Sequence, residues 1–267
     1  MCGILGAINY NTSFDRSLDL MKHRGPDAGN SYKKNNIYLG HRRLKIIDLS
    51  DNANQPMTSI DGRYTIIFNG EIYNFESIRN ELINLNFHFR TKSDTEVILY
   101  AYIAWREKCL NKFNGMFSFA IYDNKKENIF IARDRVGIKP LYYFHKDNQF
   151  IFSSEINPIV KMINSNDISI DYSSIVDYFT YLFVPEEKTL YKEIRKLLPG
   201  HYLNFNNNKT IINKYWDIEP GFGQESNKDR VIEKLEELIE DSVKMRLVSD
   251  VPVGSFLSGG IDSSLVS

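Results

Sequence analysis

Three stretches of the chain share one form: an aromatic and aliphatic run, a short polar turn, and a second run. They are GMFSFAIYD–NKKE–NIFIARD at 115–134, KPLYYFH–KDN–QFIFSSE at 139–155, and HYLNF–NNNK–TIINKYW at 201–216. Runs rich in Phe, Tyr and Ile around Asn, Asp and Lys turns read as β-hairpins. GILGAINY at 3–10 adds a short strand. NIYLGHRRLKIIDLS at 36–50 reads as two strands with Gly40 between them. RYTIIFNGEIYN at 63–74 reads as a strand, a sharp Asn-Gly turn and a second strand start. The helices are fewer. They are a short one from Phe14 to His23 stopped by RGPD, one at 75–86 with Ile78, Leu82 and Leu85 on one face, and one from Ser93. In the last, Ser93 and Glu96 fit a capping box. A fourth helix covers SSIVDYFTYL. Many strands and few helices, without regular alternation, argue for an α+β fold with stacked sheets.

The texture changes after 215. PGFGQESNKD at 220–229 reads as a linker, and residues 230–247 carry Val231, Leu235, Leu238, Ile239, Val243 and Leu247 at helical spacing. VPVGSFLSGGIDSSLVS then reads as an apolar strand, a Gly-rich loop and a helix start. Such a unit closes no core by itself. The expected division is a first domain at 2–215 and the start of a second at 216–267.

With 267 residues, 42% of them hydrophobic, the chain can bury one large core or two smaller ones. A net charge of −1 gives no argument for nucleic acid or a membrane surface. No apolar run approaches the roughly 18 residues of a membrane span, and the start lacks a signal peptide's basic segment. Two distant cysteines make no disulfide framework, which points to a reducing cytoplasm. Cys109 lies in an apolar helical pattern and reads as a buried, inert thiol.

Cys2 is the other cysteine. A thiol attacks a carbonyl only as thiolate, and a free one titrates near pH ~8.5. Once Met1 is removed, Cys2 carries its own α-amine, with a pKa of roughly 7.7–8.0, able to accept the thiol proton. Gly3 lets a substrate lie close. A nucleophile also needs oxyanion donors. Asn69-Gly70 reads locally as a hairpin turn, yet the same pair offers a side-chain amide and a backbone N–H. An amino-acid head needs a cation and an anion. Arg43 suits a bidentate carboxylate contact and Asp94 an ammonium; taken singly, they also read as a surface arginine and a helix N-cap. HRGPD at 23–27 reads as a rigid turn with a solvated charge cluster.

The stretch SGGIDSS at 258–264 sits between an apolar run and a helix start. Adjacent glycines and Ser258, Ser263 and Ser264 offer donors to an anion, though a Gly-Ser turn before a helix fits as well. It is not the G-x-x-x-x-G-K-[ST] phosphate loop, because the lysine is missing. Asp262 within it would need a bridging Mg²⁺.

Together, MCGI, HRGPD, GHRRLKIIDLS, QPM, FNGEIYN, SDTEVIL, NGMFSFAIYD, ARDRVGIKPLYY, SSEI, LPGHYL and SDVPVGSFLSGGIDSS resemble the glutamine-dependent asparagine synthetases. The resemblance implies a class II glutamine amidotransferase domain with the four-layer αββα sandwich of N-terminal nucleophile hydrolases. An incomplete α/β synthetase domain of ATP-pyrophosphatase type would follow. By that resemblance Cys2 attacks glutamine, and Asn69 and Gly70 hold the oxyanion. Arg43 binds the substrate carboxylate, the backbone of Arg43, Leu44, Lys45, Ile46 and Ile47 lines the pocket, and Asp94 with Glu71 holds the amino group. Leu257, Ser258, Gly259, Gly260, Asp262, Ser263 and Ser264 match the loop that holds the phosphates of ATP, with Mg²⁺. Aspartate is the implied acceptor and a homodimer the implied assembly. RDRVGIKPLYY and SSEI suggest only packing between domains. The adenine and aspartate sites have no counterpart in these 267 residues, so this chain by itself is expected to hydrolyse glutamine without making asparagine. Three alternatives stay open: an amidotransferase with another carboxyl acceptor, a silent binding module, and an amidase acting on a peptide or lactam.

Overall fold

A computed structural model describes residues 1–10, 13–219, 221 and 227–267. Among these residues twelve strands form two six-stranded sheets. The first contains β1 (Gly3–Ile8), β2 (Ala28–Lys34), β3 (Ile37–Arg43), β8 (Tyr142–Lys146), β9 (Gln149–Ser153) and β10 (Ile194–Lys196), in the order β10-β8-β9-β1-β3-β2. The second contains β4 (Met57–Thr58), β5 (Tyr64–Ile72), β6 (Gly115–Asp123), β7 (Asn128–Arg133), β11 (His201–Asn206) and β12 (Lys209–Lys214), in the order β12-β11-β7-β6-β5-β4. The paired strands are antiparallel, and the three expected hairpins are β6–β7, β8–β9 and β11–β12.

Alternation along each strand assigns its side chains to two cores. On β5, β6 and β7, Ile67, Ala120, Tyr122, Ile129 and Ile131 face the first sheet, where Ile4, Leu39, Phe150 and Phe152 meet them. Their neighbours Ile66, Phe68, Phe117, Phe119, Ile121 and Phe130 point outward. There they are covered by α2 (Phe75–Asn84) and α3 (Asp94–Trp105) through Ile78, Leu82, Val97 and Ile98. The outer face of the first sheet is covered by α1 (Phe14–Asp19) and α4 (Ile156–Met162), through Phe14, Leu18, Ile159 and Met162. The layers are helix, sheet, sheet, helix, the αββα sandwich that the resemblance implied.

Two expected turns are absent. Gly40 lies inside β3, in register between Leu5 of β1 and Ser31 of β2. It is glycine because Leu18 of α1 packs on it: an added Cβ would sit 2.8 Å from Leu18 Cδ2. Asn69-Gly70 lies inside β5, which continues to Ile72 paired with β6. A long-range ladder overrode a local turn signal at both positions.

Beyond the sandwich, α5 (Tyr172–Tyr181) forms as expected. Most of the expected linker at 220–229 lies outside the described residues. The helix expected at 230–247 is α6 (Lys228–Arg246), and α7 (Ile261–Val266) follows the Gly-rich loop. The apolar stretch from Val251 to Leu257 forms no strand, since no neighbouring strand pairs with it among the described residues. No helix among them is long and apolar enough to cross a membrane.

Candidate active site

The start of β1 brings Cys2 to the edge of the sandwich, against the end of β3. Leu44 N–H donates to Cys2 Sγ at 3.4 Å, and the thiol lies 3.7 Å from Leu44 O as donor. The carbonyl of Cys2 accepts from Arg24 Nε at 2.9 Å. Arg24 is held by Glu155 at 3.1 Å, which also receives His23 Nε2 at 2.9 Å. Ser154 Oγ accepts from Ile4 N–H at 3.1 Å. SSEI, expected to pack between domains, instead supports the strand that follows Cys2, and Arg24 of HRGPD does so with it. Arg24 is also no solvated charge, because its side chain is 10% exposed.

Cys2 opens into a cavity of about 270 Å³. Its walls include Arg43, Leu44, Ile46, Ile47, Asn69, Gly70, Glu71 and Asp94, groups drawn from both sheets, one loop and one helix start. Of the expected glutamine-site residues, Lys45 does not line it. Its ammonium pairs with Asp51 at 2.9 Å, and its N–H donates to Asp27 at 2.8 Å.

Asn69 is 0% exposed, and neither polar atom of its side chain has a partner. Buried amides are almost always hydrogen-bonded, so an unmet pair beside a thiol suits a ligand oxygen. Gly70 has φ +157°, and a Cβ there would sit 2.1 Å from Met116 O. Only glycine lets β5 pass β6 so closely at this point. Below Asn69, buried His41 of β3 reaches across the sandwich and donates from Nε2 to Phe68 O at 2.9 Å. Burial holds this imidazole neutral, with its pKa pushed down to about 3.

The charged groups carry burial costs. Burial pushes the Cys2 thiol up, opposed by the Leu44 N–H and by the chain's terminal amine. Burial also raises Asp94, to about 7, against the Ile72 N–H that donates to it at 3.1 Å and with repulsion from Glu71. Arg43 is 4% exposed. Its Nη1 donates to Ser50 O and Asn54 Oδ1, each at 2.8 Å, and its Nη2 to Ile47 O at 3.3 Å and to Asp48 O. The bidentate grip expected from the sequence is not preformed. Arg43 instead shapes the loop that follows it and gives this end of the cavity its positive charge.

Two lining residues lay in motifs without a derived role. Gln55 accepts from Phe68 N–H at 2.6 Å and donates to Thr95 at 3.0 Å, tying β5 to α3. Lys139, 3% exposed, faces the cavity from the turn after β7. Asp134 sets that turn, accepting from the N–H groups of Phe117, Ile138 and Lys139 at 3.1, 2.8 and 2.9 Å. The fused wording of RDRVGIKPLYY was the available signal, but its meaning depended on strands far away in sequence.

The loop at 258–264 is exposed and separate from this cavity. Gly259 has φ +81°, and Ser263 Oγ bonds Ser258 Oγ at 2.9 Å and Gly260 O at 3.1 Å.

One pocket of the αββα sandwich thus gathers a thiol, an unpartnered amide and groups of opposite charge. The family described as a glutamine amidotransferase domain matches residues 1–216, so the chain belongs to that family. A second family, described as asparagine synthase, matches 234–267. Asparagine synthetase [glutamine-hydrolyzing] 3 of Bacillus subtilis is 38% identical over the whole chain, which covers 45% of that relative. The putative asparagine synthetase [glutamine-hydrolyzing] 2 of Methanocaldococcus jannaschii is 39% identical, again over the whole chain and over 56% of the relative. The chain thus spans about half the length of these curated relatives. Among solved structures, glutamine phosphoribosylpyrophosphate amidotransferase from B. subtilis matches with a TM-score of 0.61 at 18% identity. That match covers 80% of this chain and 49% of the other, and the likeness is one of fold.

Proposed function

We propose that the cavity hydrolyses glutamine and that the ammonia serves an ATP-dependent synthesis of asparagine. The carrying observation is the meeting of Cys2, the unpartnered Asn69 amide, Arg43 and Asp94 in one cavity. Glutamine enters with its carboxylate toward Arg43 and its ammonium toward Asp94, whose ionised form that ammonium stabilises. Cys2 Sγ attacks the side-chain amide carbon while its proton passes to the α-amine that Met1 removal exposes. Asn69 Nδ2 and Gly70 N–H receive the oxyanion. The C–N bond breaks, the amine returns the proton to departing ammonia, and water hydrolyses the thioester to glutamate.

For the second half, Ser258, Ser263 and Ser264, with the backbone of Leu257, Gly259, Gly260 and Asp262, form a donor set that suits phosphates. Asp262 is the carboxylate available there to Mg²⁺. A nucleotide bound at this loop would supply the adenylyl group that activates the carboxylate of aspartate. The names of the relatives support aspartate over another carboxyl acceptor. Both cysteines are free thiols, which supports a reducing compartment such as the cytoplasm.

The test is glutamate release by the purified chain, with Cys2→Ala as control and intact mass to establish Met1 removal. Equal release by both proteins would remove Cys2 from the mechanism.

A further inference from the structure

One wall of the cavity is the turn Ile46–Asp48, and that turn is held from outside as well as inside. Asp48 has φ +55°, a left-handed conformation that Asp tolerates but that needs support. From within, Arg43 takes the carbonyls of Ile47 and Asp48. From without, Asp250 Oδ2 accepts the Asp48 N–H at 2.7 Å, and Asp250 N–H donates to Ile46 O at 3.0 Å. The two bonds bracket Ile47, which lines the cavity on one face and a second, 380 Å³ cleft containing Asp250 on the other. The Asp48 carboxylate meanwhile accepts from Lys92 N–H at 2.8 Å.

Asp250 lies beyond residue 216, where the amidotransferase match ends, and inside the asparagine-synthase match. Its neighbourhood touches the opposite wall too. Arg246 stacks on the Tyr73 ring at 4.5 Å, just past Glu71, and Asn114 Nδ2 meets Met245 Sδ at 3.5 Å. We propose that Asp250 is a positioning residue of the glutamine cavity, supplied by the synthase portion of the chain. It fixes the Ile46–Asp48 turn and so sets the width of the substrate pocket. Seven residues separate Asp250 from the Gly-rich loop at 258–264, so one short stretch of backbone links that loop to the turn that walls the pocket.

This inference rests on glutamine being the ligand, and its test separates the two. In the full chain, Asp250→Ala keeps the backbone N–H to Ile46 but loses the acceptor for Asp48. Asp250→Asn keeps a carbonyl acceptor. Loss of one charge-assisted bond on the wall is expected to raise KM for glutamine about fivefold to tenfold, with kcat within about twofold. Hydrogen exchange in the peptide spanning 46–48 should quicken about tenfold in the same variant. Asp250→Asn should restore both. A KM unchanged in Asp250→Ala overturns the proposal, as does an exchange rate at 46–48 that does not move. An equal KM rise in Asp250→Asn also overturns it, because the acceptor is still present. A wild-type chain without glutaminase turnover would sink the glutamine reading instead, and the exchange rates would still decide on the clasp.

Discussion

Replacing Asp94 with asparagine should make the protein more stable and less able to bind glutamine. The carboxyl is 6% exposed at the start of α3, and burial with repulsion from Glu71 raises it to about 7 from 3.8. An unfolded chain releases this proton near pH 3.8, whereas the folded chain keeps it until about 7. The unfolded state is therefore favoured increasingly as pH rises through that window, and the penalty is constant above it. Three pKa units correspond to about 4 kcal/mol. Asparagine has the same shape, and its Oδ1 can still accept from Ile72 N–H.

Urea unfolding of Asp94→Asn and wild type without ligand should thus show a gap below about 1 kcal/mol at pH 4 that widens to about 3–4 kcal/mol at pH 8. Calorimetric titration of glutamine into the inert Cys2→Ala background should show the functional side. Affinity should weaken about tenfold per pH unit below 7, because the ammonium binds the ionised carboxylate and a proton must leave. Asp94→Asn should bind poorly at every pH. A stability gap that is flat with pH, or that narrows as pH rises, would refute the assignment of a raised, buried carboxyl.

Asn69→Ala should lower glutamine turnover about 10²- to 10³-fold. Its melting temperature should hold or rise, since the amide has no protein partner to lose; a clear fall would show a structural role. Gly70→Ala should cost roughly 2–4 kcal/mol in urea unfolding, because the new Cβ meets Met116 O and Phe117 Cα at an unfavourable φ. Wild-type stability in that variant would mean β5 and β6 are spaced more widely. Iodoacetamide should label Cys2 of the resting protein slowly at neutral pH, with a midpoint above the free-thiol value of about 8.5, because burial disfavours the thiolate. A plateau already reached at pH 7 would contradict a protonated resting thiol.

Much of the frame was legible because its signals are local. The turns NKKE, KDN and NNNK sit between runs of strand formers, and all three hairpins formed. Ser93 caps α3 as expected, accepting from Glu96 N–H at 3.4 Å. The Glu96 carboxylate, however, turns to the N–H groups of Arg90 and Thr91 rather than back to Ser93. Asn69-Gly70 carries the local signature of a turn, but β6, far along the chain, keeps β5 straight through it. The site residues themselves were named by chemical type and by resemblance. What spacing could not convey was their support: Glu155 holding Arg24 on the Cys2 carbonyl, or Arg43 directed into its own loop.

Cys2 sits immediately before β1 of one sheet, and Asn69 and Gly70, which we propose as the oxyanion pair, lie in β5 of the other. His41, bonded across to Phe68 O, is a strut between them. The gap that the chemistry must span is thus dictated by the thickness of the apolar filling between the sheets, where Ile4, Leu39, Ile67 and Ala120 meet. That filling acts as a shim. Trimming or adding a methyl group there changes the calibration of a reaction it never touches, so drift in this interior is constrained by turnover as well as by folding.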